Sequence, residues 1–337
     1  MSWRTTVLRK AAAALPPALL RPFGGPAAIF FHGVERRIVD PRLQINHHDI
    51  ERFGEIAETL KRNFDVTPLS EVPFALRRPA RHRRTVFLMS DDGYANTATV
   101  AAGVLRNLDL PWALFVSTWH IDTGELNRMT LARALLHGAA EGDYTFPHIG
   151  PCALNGSRHH VADVVLSRLR LLPAEAAENA VATMMTALKR PKCAPPLYNA
   201  SEQFLNWNQV RTLAGQGVTI GAHAHWHWPM HDRQEAKYLR DQAELPRRRI
   251  EQEVGSCRYF AYPFGNAGDV GSQAWKAVRE AGYDYAFTTL AGTLHAKQNP
   301  WLLPRYGLAP QESDLPSLLP LLRLGNSRVA RWQRQLN

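Results

Sequence analysis

Short apolar runs alternate with amphipathic segments along most of the chain. Each run is bounded by polar or turn-forming residues, which is typical of strands that are buried on both faces of a parallel sheet. The predicted strands are AAIFFHGV (27–34), TVFLMS (85–90), PWALFVST (111–118), VTIGAH (218–223), RYFAYPFG (258–265) and YDYAFTT (283–289).

Helical periodicity fills the segments between these strands. In DIERFGEIAETLKRNF, the apolar residues Ile50, Phe53, Ile56, Ala57 and Leu60 recur at the spacing that places them on one helix face. Further predicted helices are TATVAAGVLRNL (97–108), NWNQVRTLAGQG (206–217) and SQAWKAVREAG (272–282). The alternation of strands and helices predicts an α/β fold around a parallel sheet.

Three segments depart from this alternation. Residues 119–202 combine helical stretches with loop-rich pieces, and we expect a largely helical insertion there. Residues 1–25 and residues 311–337 each contain both apolar runs and arginines. Each predicts a basic amphipathic terminal segment that can rest on an anionic membrane.

The charge balance favours anionic partners. The formal net charge is +10 and the pI is about 9.8. No aromatic-interleaved RNA motif or DNA-reading module accompanies the basic clusters, so we do not expect nucleic acid as a partner. An anionic membrane surface remains the better candidate. The three cysteines, Cys152, Cys193 and Cys257, are odd in number and far apart, which argues against a disulfide framework or a cysteine zinc site.

The chain shows no signal for a membrane span or for secretion. No apolar run approaches the roughly 20 residues that a transmembrane helix needs. Pro16 and Pro17 interrupt the apolar stretch near the N-terminus, and Arg21 follows it, which argues against a signal peptide. We therefore expect a cytoplasmic protein that attaches peripherally to the inner face of the cell membrane.

A histidine cluster follows the predicted strand VTIG. His223, His225 and His227 share one face if this segment stays extended, and only His223 and His227 share one if it turns helically. Either geometry keeps His223 and His227 together, and neighbouring neutral imidazoles are natural ligands of a divalent metal such as zinc. The alternative is that these histidines are satisfied by backbone hydrogen bonds.

Two adjacent carboxylates, Asp91 and Asp92, end the strand TVFLMS, and His32 ends a neighbouring one. On their own the letters DDG also describe an exposed turn. With a metal present, one carboxylate can ligate the cation while the other acts as a general base toward water. The cation would also offset the repulsion between the two carboxylates.

Six motifs follow one another from about residue 27 to 310. They are FHGV, LMSDDGYAN, LNWNQVRTLAGQGVTIGAHAHWH, YFAYPFGN, REAGYDYAFTTLAG and LLPRYGL. Together they resemble, in order, the polysaccharide deacetylases (carbohydrate esterase family 4), and particularly the bacterial branch with an FAYPYG-like motif. The resemblance implies a distorted (β/α)7 TIM-like barrel over residues 26–310 that carries the helical insertion at about 119–202.

The family pattern also implies roles for the residues of the site. By position, Asp91 becomes the catalytic base, while Asp92, His223 and His227 become the ligands of a divalent metal, for which Zn2+ is the expected ion. His225 falls on a variable position between the two histidine ligands and stays outside the set.

Two positions depart from the family pattern. Ala261 stands where many members have an arginine that holds the base, and we expect Arg305 of LPRYG to supply this contact. The chain also lacks the LxH motif that often carries the general acid. His295 of TLH lies close in sequence to where that motif is expected. His32, at the end of its strand, is nevertheless the preferred general acid.

The remaining expected residues concern the substrate. The resemblance places Tyr262 and Pro263 near it, with a backbone N–H near Tyr262 holding the oxyanion of the reaction. Trp301 is expected to line the sugar site, with His295 nearby.

The predicted function is that of a metal-dependent carbohydrate N-deacetylase, a hydrolase of linear amide bonds. Its substrate would be an N-acetylhexosamine in a polysaccharide, a glycolipid or a lipid-linked sugar. One alternative is a deformylase of a lipid-linked amino sugar, which performs nearly the same reaction on a smaller acyl group. Another is a non-catalytic carbohydrate- or membrane-binding protein on the same fold, which would have no need for Asp91 beside Asp92.

Overall fold

The computed structural model describes residues 24–188, 203–310 and 315–336. The predicted N-terminal arm lies outside these ranges except for its last two residues. Residues 189–202 of the predicted insertion also lie outside them.

The strands are β1 (Ala27–Phe31), β2 (Gly33–Glu35), β3 (His47–Asp49), β4 (Asp65–Val66), β5 (Thr85–Ser90), β6 (Ala113–Val116), β7 (Asp143–Phe146), β8 (Gly150–Ala153), β9 (Thr219–Ala222), β10 (Tyr259–Ala261), β11 (Tyr285–Phe287) and β12 (Tyr306–Gly307).

Seven parallel strands form a curled sheet in the order β11-β10-β9-β6-β5-β1-β12, and β4 pairs with the first residues of β5. The segment from Leu303 to Gly307 joins the two ends of this sheet. Leu303 pairs in parallel with Phe287 of β11, and Gly307 pairs in parallel with Phe30 of β1. The predicted fold, a distorted seven-stranded α/β barrel, is confirmed.

The helices cover the outside of the sheet and build the insertion. They are α1 (Ile50–Asn63), α2 (Val72–Arg77), α3 (Ala102–Asn107), α4 (Thr118–Thr123), α5 (Arg128–Gly138), α6 (Arg158–Leu169), α7 (Ala174–Ala187), α8 (Trp207–Gly215), α9 (Ala236–Val254), α10 (Ser272–Glu280), α11 (Leu315–Leu321) and α12 (Asn326–Leu336). Helix α1 shows why the sequence folds this way: Asp49 caps its first turn by accepting a hydrogen bond from the Glu51 N–H. Its apolar face, predicted from the periodicity, is buried against the sheet.

Strand residues alternate between two apolar clusters. Phe30, Met89 and Phe115 belong to the cluster that fills the barrel, together with residues 69–76. Their neighbours Phe31 and Leu114 belong to the larger cluster between the strands and the helices. This alternation explains why the sequence shows unbroken apolar runs, since both faces of each strand are buried.

The segment predicted as a helical insertion contains α4 to α7 and also an antiparallel hairpin, β7–β8, which the sequence did not predict. A separate apolar cluster holds these elements together. Trp228, from the loop after β9, is buried in that cluster. The insertion is therefore packed on the same loop that carries the histidine cluster.

Helices α11 and α12 bury their apolar faces on the barrel. Trp332 Nε1 donates a hydrogen bond to Ala267 O over 3.1 Å, and Gln333 Nε2 donates one to Leu302 O over 2.8 Å. Leu318 and Val329 are also buried. The apolar face of the C-terminal segment therefore contacts protein, rather than lying free for a membrane as expected. Among the described residues, no helix combines the length and the apolar character of a bilayer span.

A buried histidine on β3 makes stability depend on pH. His48 is fully buried against Phe31 and Phe53, and this burial lowers its pKa from 6.5 to about 4. The unfolded chain binds a proton at His48 near pH 6.5, whereas the folded chain binds one only near pH 4. The contribution of this residue to stability is therefore present above pH 6.5 and is lost as the pH falls from 6.5 towards 4.

We therefore expect His48→Leu to lose less stability on acidification than the parent protein. Between neutral pH and about pH 5, the loss in free energy of unfolding should be about 2 kcal/mol smaller in the variant. Urea unfolding at the two pH values measures this difference. His160→Leu removes an exposed histidine of α6 and serves as the control, with the pH dependence of the parent. Equal losses in His48→Leu and the parent would contradict the assignment.

Candidate metal centre

The carboxyl ends of β1, β5, β9 and β10 meet at one end of the barrel. A cleft of about 590 Å³ opens there, and its walls include His32, Asp91, Asp92, His223 and His227. These five are the strand-end residues that the sequence predicted for the metal and its surroundings. The structure therefore brings together groups that lie far apart in the chain.

Asp92, His223 and His227 form a buried cluster of potential metal ligands. Asp92 Oδ1 lies 3.3 Å from His223 Nε2 and 2.9 Å from His227 Nε2. One ligand atom from each residue lies within 4.8 Å of the other two. Burial by itself would raise the pKa of Asp92, but the two imidazoles outweigh it and hold that pKa well below its usual value. The carboxylate is therefore ionised at neutral pH.

The donor atoms fit a divalent cation. Asp92 Oδ1 is buried, and no hydrogen bond with good geometry satisfies it within the described chain. His223 Nδ1 lies 2.8 Å from Ala261 O, so its N–H can donate to that carbonyl, which leaves Nε2 available to bind a cation beside Asp92. One carboxylate and two imidazoles with room for further ligands is the donor set of catalytic zinc sites.

The backbone is strained where the site is built. Asp92, Ala224, His227 and Phe264 have positive φ angles of 73°, 60°, 56° and 60°. Such conformations are costly for residues other than glycine and tend to occur at functional sites. The turns at Ala224 and His227 make the histidine segment neither extended nor helical, yet the rings of His223 and His227 lie 4.9 Å apart.

His225 points away from the metal cluster. Its Nδ1 lies 2.7 Å from Thr118 Oγ1, and its ring contacts Trp119. Its exclusion from the predicted ligand set therefore agrees with where its ring lies.

Asp91 is held by an arginine from the segment that closes the barrel. Arg305 Nη1 and Nη2 donate to Asp91 Oδ1 and Oδ2 over 2.7 and 2.6 Å, and its Nε donates to Thr288 O over 3.0 Å. The guanidinium stacks 4.0 Å from the ring centroid of Phe30 and is fully buried. Arg305 thus makes the contact to Asp91 that was expected of it from the sequence.

His32 lies on the wall of the cleft beside these carboxylates. Ser90 Oγ donates to His32 O over 2.8 Å, which ties the ends of β5 and β1 together. Burial lowers the pKa of His32, although Asp92 and Asp91 act in the opposite direction. The imidazole is therefore neutral at pH 7 and lies where negative charge favours its protonation.

Four residues predicted to contact substrate do not line the cleft. Tyr262 is fully buried and its hydroxyl donates to Trp301 O, while Trp301 Nε1 donates to Tyr283 O. Pro263 is buried, and His295 lies outside the cleft walls. The sequence could not show which side chains after β10 point inward. Phe264, one residue further along, is the one from this loop that reaches the cleft.

Two residues that hold the histidine segment were not predicted from the sequence. Gln242 of α9 is fully buried, and its Oε1 accepts hydrogen bonds from the His225 and Trp226 N–H groups over 2.8 Å each. Asn127 caps α5 by accepting from the Met129 N–H over 2.9 Å, and its Nδ2 lies 2.7 Å from His227 Nδ1. No local pattern indicates either contact, because Asn127 lies 100 residues from His227 and Gln242 lies on a separate helix, α9.

The insertion also supplies one wall of the cleft. Arg133, Asp163, Ser167 and Arg170 line it with hydrogen-bonding groups. Arg133 donates to Asp163 over 2.9 Å, and Arg170 pairs with Asp269 through both carboxylate oxygens. Such a polar wall suits a ligand rich in hydroxyl groups.

Breaking the Asp91–Arg305 pair should cost stability. Arg305→Met leaves a buried carboxylate without its partner, and we expect a loss of about 3–5 kcal/mol in the free energy of unfolding. Because Asp91→Asn in the same chain removes that charge, the double variant should recover part of the loss. Urea unfolding of the parent, both single variants and the double variant measures the coupling.

Arg279→Met is the matched control, because Arg279 forms an exposed pair with Glu280 and should contribute about 0–1 kcal/mol. Strictly additive effects of the Asp91 and Arg305 substitutions would show that the pair contributes nothing.

Asn127 offers a test of the metal site that does not depend on activity. In this arrangement its amide nitrogen donates to His227 Nδ1, whereas a ring that binds metal through Nε2 carries its proton on Nδ1. Asn127→Asp presents an acceptor there and keeps the helix cap. We expect this variant to bind Zn2+ about tenfold more tightly, as measured by competition with a chromogenic chelator.

Ser157→Asp places the same carboxylate at the cap of α6, away from the cleft, and should leave zinc affinity unchanged. Equal zinc affinity of Asn127→Asp and the parent would argue against a role for Asn127 at the metal site.

Comparison with known proteins found one match in sequence and several in fold. Residues 171–286 match the sequence model of the polysaccharide deacetylase family. No curated protein sequence matches the chain. Among solved structures, the deacetylase PplD of Streptococcus pyogenes in complex with acetate is 14% identical, with 88% of this chain and 96% of that chain covered and a TM-score of 0.57.

Two further solved structures share the fold. IcaB from Ammonifex degensii is 13% identical, with 89% of this chain and 97% of that chain covered and a TM-score of 0.54. A de-N-acetylase from Aggregatibacter actinomycetemcomitans is 14% identical, with 86% and 97% covered and a TM-score of 0.52. The chain therefore matches the sequence model of the polysaccharide deacetylase family over residues 171–286 and shares its fold with these solved structures.

Proposed function

We propose that the chain is a metal-dependent hydrolase that removes the N-acetyl group from an N-acetylhexosamine. One observation carries the proposal: the buried cluster of Asp92, His223 and His227 lies beside a second carboxylate, Asp91, that Arg305 holds in place. A protein that only bound saccharides would gain nothing from two neighbouring buried carboxylates at this position. We also infer that the chain belongs to the branch with an FAYPYG-like motif.

The proposed reaction divides the work between the two aspartates. A divalent cation held by Asp92, His223 and His227, with Zn2+ the expected ion, would polarise the amide carbonyl and make water easier to deprotonate. Asp91 accepts the proton of the attacking water as general base. Arg305 fixes the direction of that carboxylate through two parallel hydrogen bonds, so that the base does not need to reorient during the reaction.

A backbone N–H is the proposed partner of the oxyanion that forms during attack. The Tyr262 N–H already donates to Phe287 O over 3.0 Å, and Pro263 has none. The first N–H in this loop left for a ligand is that of Phe264, whose side chain lies on the cleft wall beside His227. Donors aimed at developing charge are among the larger contributions to catalysis.

His32 is the proposed general acid for the leaving amine. It lies on the cleft wall and has Asp91 and Asp92 as electrostatic neighbours. Because its imidazole starts neutral, it must take up a proton within the site before it can give one to the amine. His295, the other histidine considered from the sequence, does not line the cleft and is therefore the weaker candidate.

The proposed substrate is a lipid-linked amino sugar that is met at the inner face of the cell membrane. The basic character of the chain favours a substrate at an anionic membrane, and the polar wall of the cleft suits its sugar. A cleft of about 590 Å³ is of a size that takes one or a few sugar rings. An N-formyl group is the alternative acyl group, since it needs the same catalytic residues and less room.

The proposal is tested by acetate release from a panel of free, polymeric and lipid-linked N-acetylated sugars, with the N-formyl analogues in parallel. We expect activity that depends on added Zn2+ or Co2+. Asp91→Asn should lower kcat by about 10²–10⁴-fold, because the general base is lost, while its zinc content stays that of the parent.

Asp92→Asn is the companion variant and should lose bound zinc as well as activity. Circular dichroism checks that both variants keep the fold. Full activity in Asp91→Asn would refute the proposed base. A parent protein that neither binds a divalent metal nor releases acetate or formate would point instead to a non-catalytic binding protein.

A further inference from the structure

One loop at the mouth of the cleft combines exposed aliphatic side chains with arginines. This loop, called the lip below, comprises residues 36–46 between β2 and β3. Its last residues, Leu43, Ile45 and Asn46, line the same cleft as Asp91 and Asp92. Anything that contacts the lip therefore lies directly beside the entrance to the metal centre.

The lip exposes apolar surface that the protein itself does not cover. Val39 is 47% exposed and Ile45 is 41% exposed, and Pro41 between them is exposed as well. Val39 and Ile45 are two of the six large apolar side chains that stand exposed in the described parts of the chain. Single exposed aliphatics are ordinary, but a pair at the mouth of a cleft suggests a contact surface.

A buried glutamine holds the lip in this conformation. Gln44 is 6% exposed, and its Oε1 accepts hydrogen bonds from the Val39 and Asp40 N–H groups over 2.8 Å each. The Leu43 and Gln44 N–H groups both donate to Asp40 O. The aliphatic side chains are thus held outward by the fold, so little conformational entropy is lost when they contact a partner.

The charge of the lip fits an anionic partner. Arg36, Arg37 and Arg42 are exposed. Asp40, the acidic residue of this loop, pairs with Arg42 over 2.7 Å. Arg36 and Arg37 therefore leave the lip with a net positive charge. Basic residues near an anionic lipid surface strengthen binding to it.

We propose that the lip docks on an anionic lipid bilayer and turns the mouth of the cleft towards it. This inference rests on the proposed function, because a lipid-linked amino sugar would then reach the metal centre from the membrane plane. A protein partner is less well supported, because two aliphatic side chains and a proline offer much less than the roughly 800 Å² per partner of a stable protein interface. Shallow insertion of aliphatic side chains flanked by arginines is instead how interfacial segments bind membranes.

The test is sedimentation of the full chain with vesicles of phosphatidylcholine containing phosphatidylglycerol, compared with phosphatidylcholine alone. The parent should bind the anionic vesicles preferentially and less tightly at high salt. The triple variant R36Q/R37Q/V39S should bind them about tenfold more weakly. Val39→Trp should bind more tightly than the parent, because an indole suits the interface.

Phe74→Ser is the matched control. Phe74 is 54% exposed on α2. This helix lies between β4 and β5, and β4 pairs with the first residues of β5, so α2 lies near the amino ends of the strands, opposite the cleft. The Phe74→Ser variant should bind the anionic vesicles as tightly as the parent does. Unchanged vesicle binding by both lip variants, equal loss in Phe74→Ser, or equal binding to neutral vesicles would each overturn the docking proposal.

Activity separates this proposal from the proposed function. The triple variant changes no residue of the cleft wall, so its turnover of a soluble N-acetylated sugar should match that of the parent. Its turnover of a lipid-linked sugar in anionic vesicles should fall with its binding. If the parent binds vesicles through the lip but hydrolyses none of the sugars, the proposed function fails while the docking surface stands.

Discussion

The ion pair between Asp91 and Arg305 connects the fold to the site. Arg305 belongs to the segment that pairs with both β11 and β1, so the residues that close the barrel also carry the guanidinium that Asp91 needs. A buried carboxylate without such a partner would be strongly destabilising. The guanidinium is positioned by stacking on Phe30 and by its hydrogen bond to Thr288 O. Its position in turn sets the orientation of the Asp91 carboxylate.

The metal ligands depend on a second set of contacts that reaches into the insertion. The loop after β9 takes a strained path at Ala224 and His227, and such a path persists only where the surroundings enforce it. Gln242 holds its backbone from one side. Trp228 anchors its far end in the insertion's own apolar cluster, and Asn127 contacts His227 directly. The insertion therefore supports the ligand geometry as well as forming a wall of the cleft.

How far the sequence predicts this structure depends on the range of the interactions. The apolar runs predicted the strands and the parallel sheet, and the strand ends predicted that the aspartate pair would meet His223 and His227, because these features follow from local patterns. The barrel and the choice of Asp92 as the ligand came from the family resemblance. Asn127 lies 100 residues from the histidine that it contacts, in a segment without strong periodicity. Tyr262 and Trp301 lie outside the strands, and the direction of their side chains is set by packing with distant residues, which no local pattern gives.

The charges of the site are balanced except at one atom. Arg305 compensates Asp91 through two hydrogen bonds, and Ala261 O accepts from the far nitrogen of His223. Asp92 remains ionised beside two imidazoles, and its Oδ1 is buried without a hydrogen bond of its own among the described residues. A cation at this position would supply what that oxygen lacks and would stabilise the folded chain, since only the folded chain presents the three ligands together. The same arrangement that would make the site reactive would therefore couple its stability to metal binding.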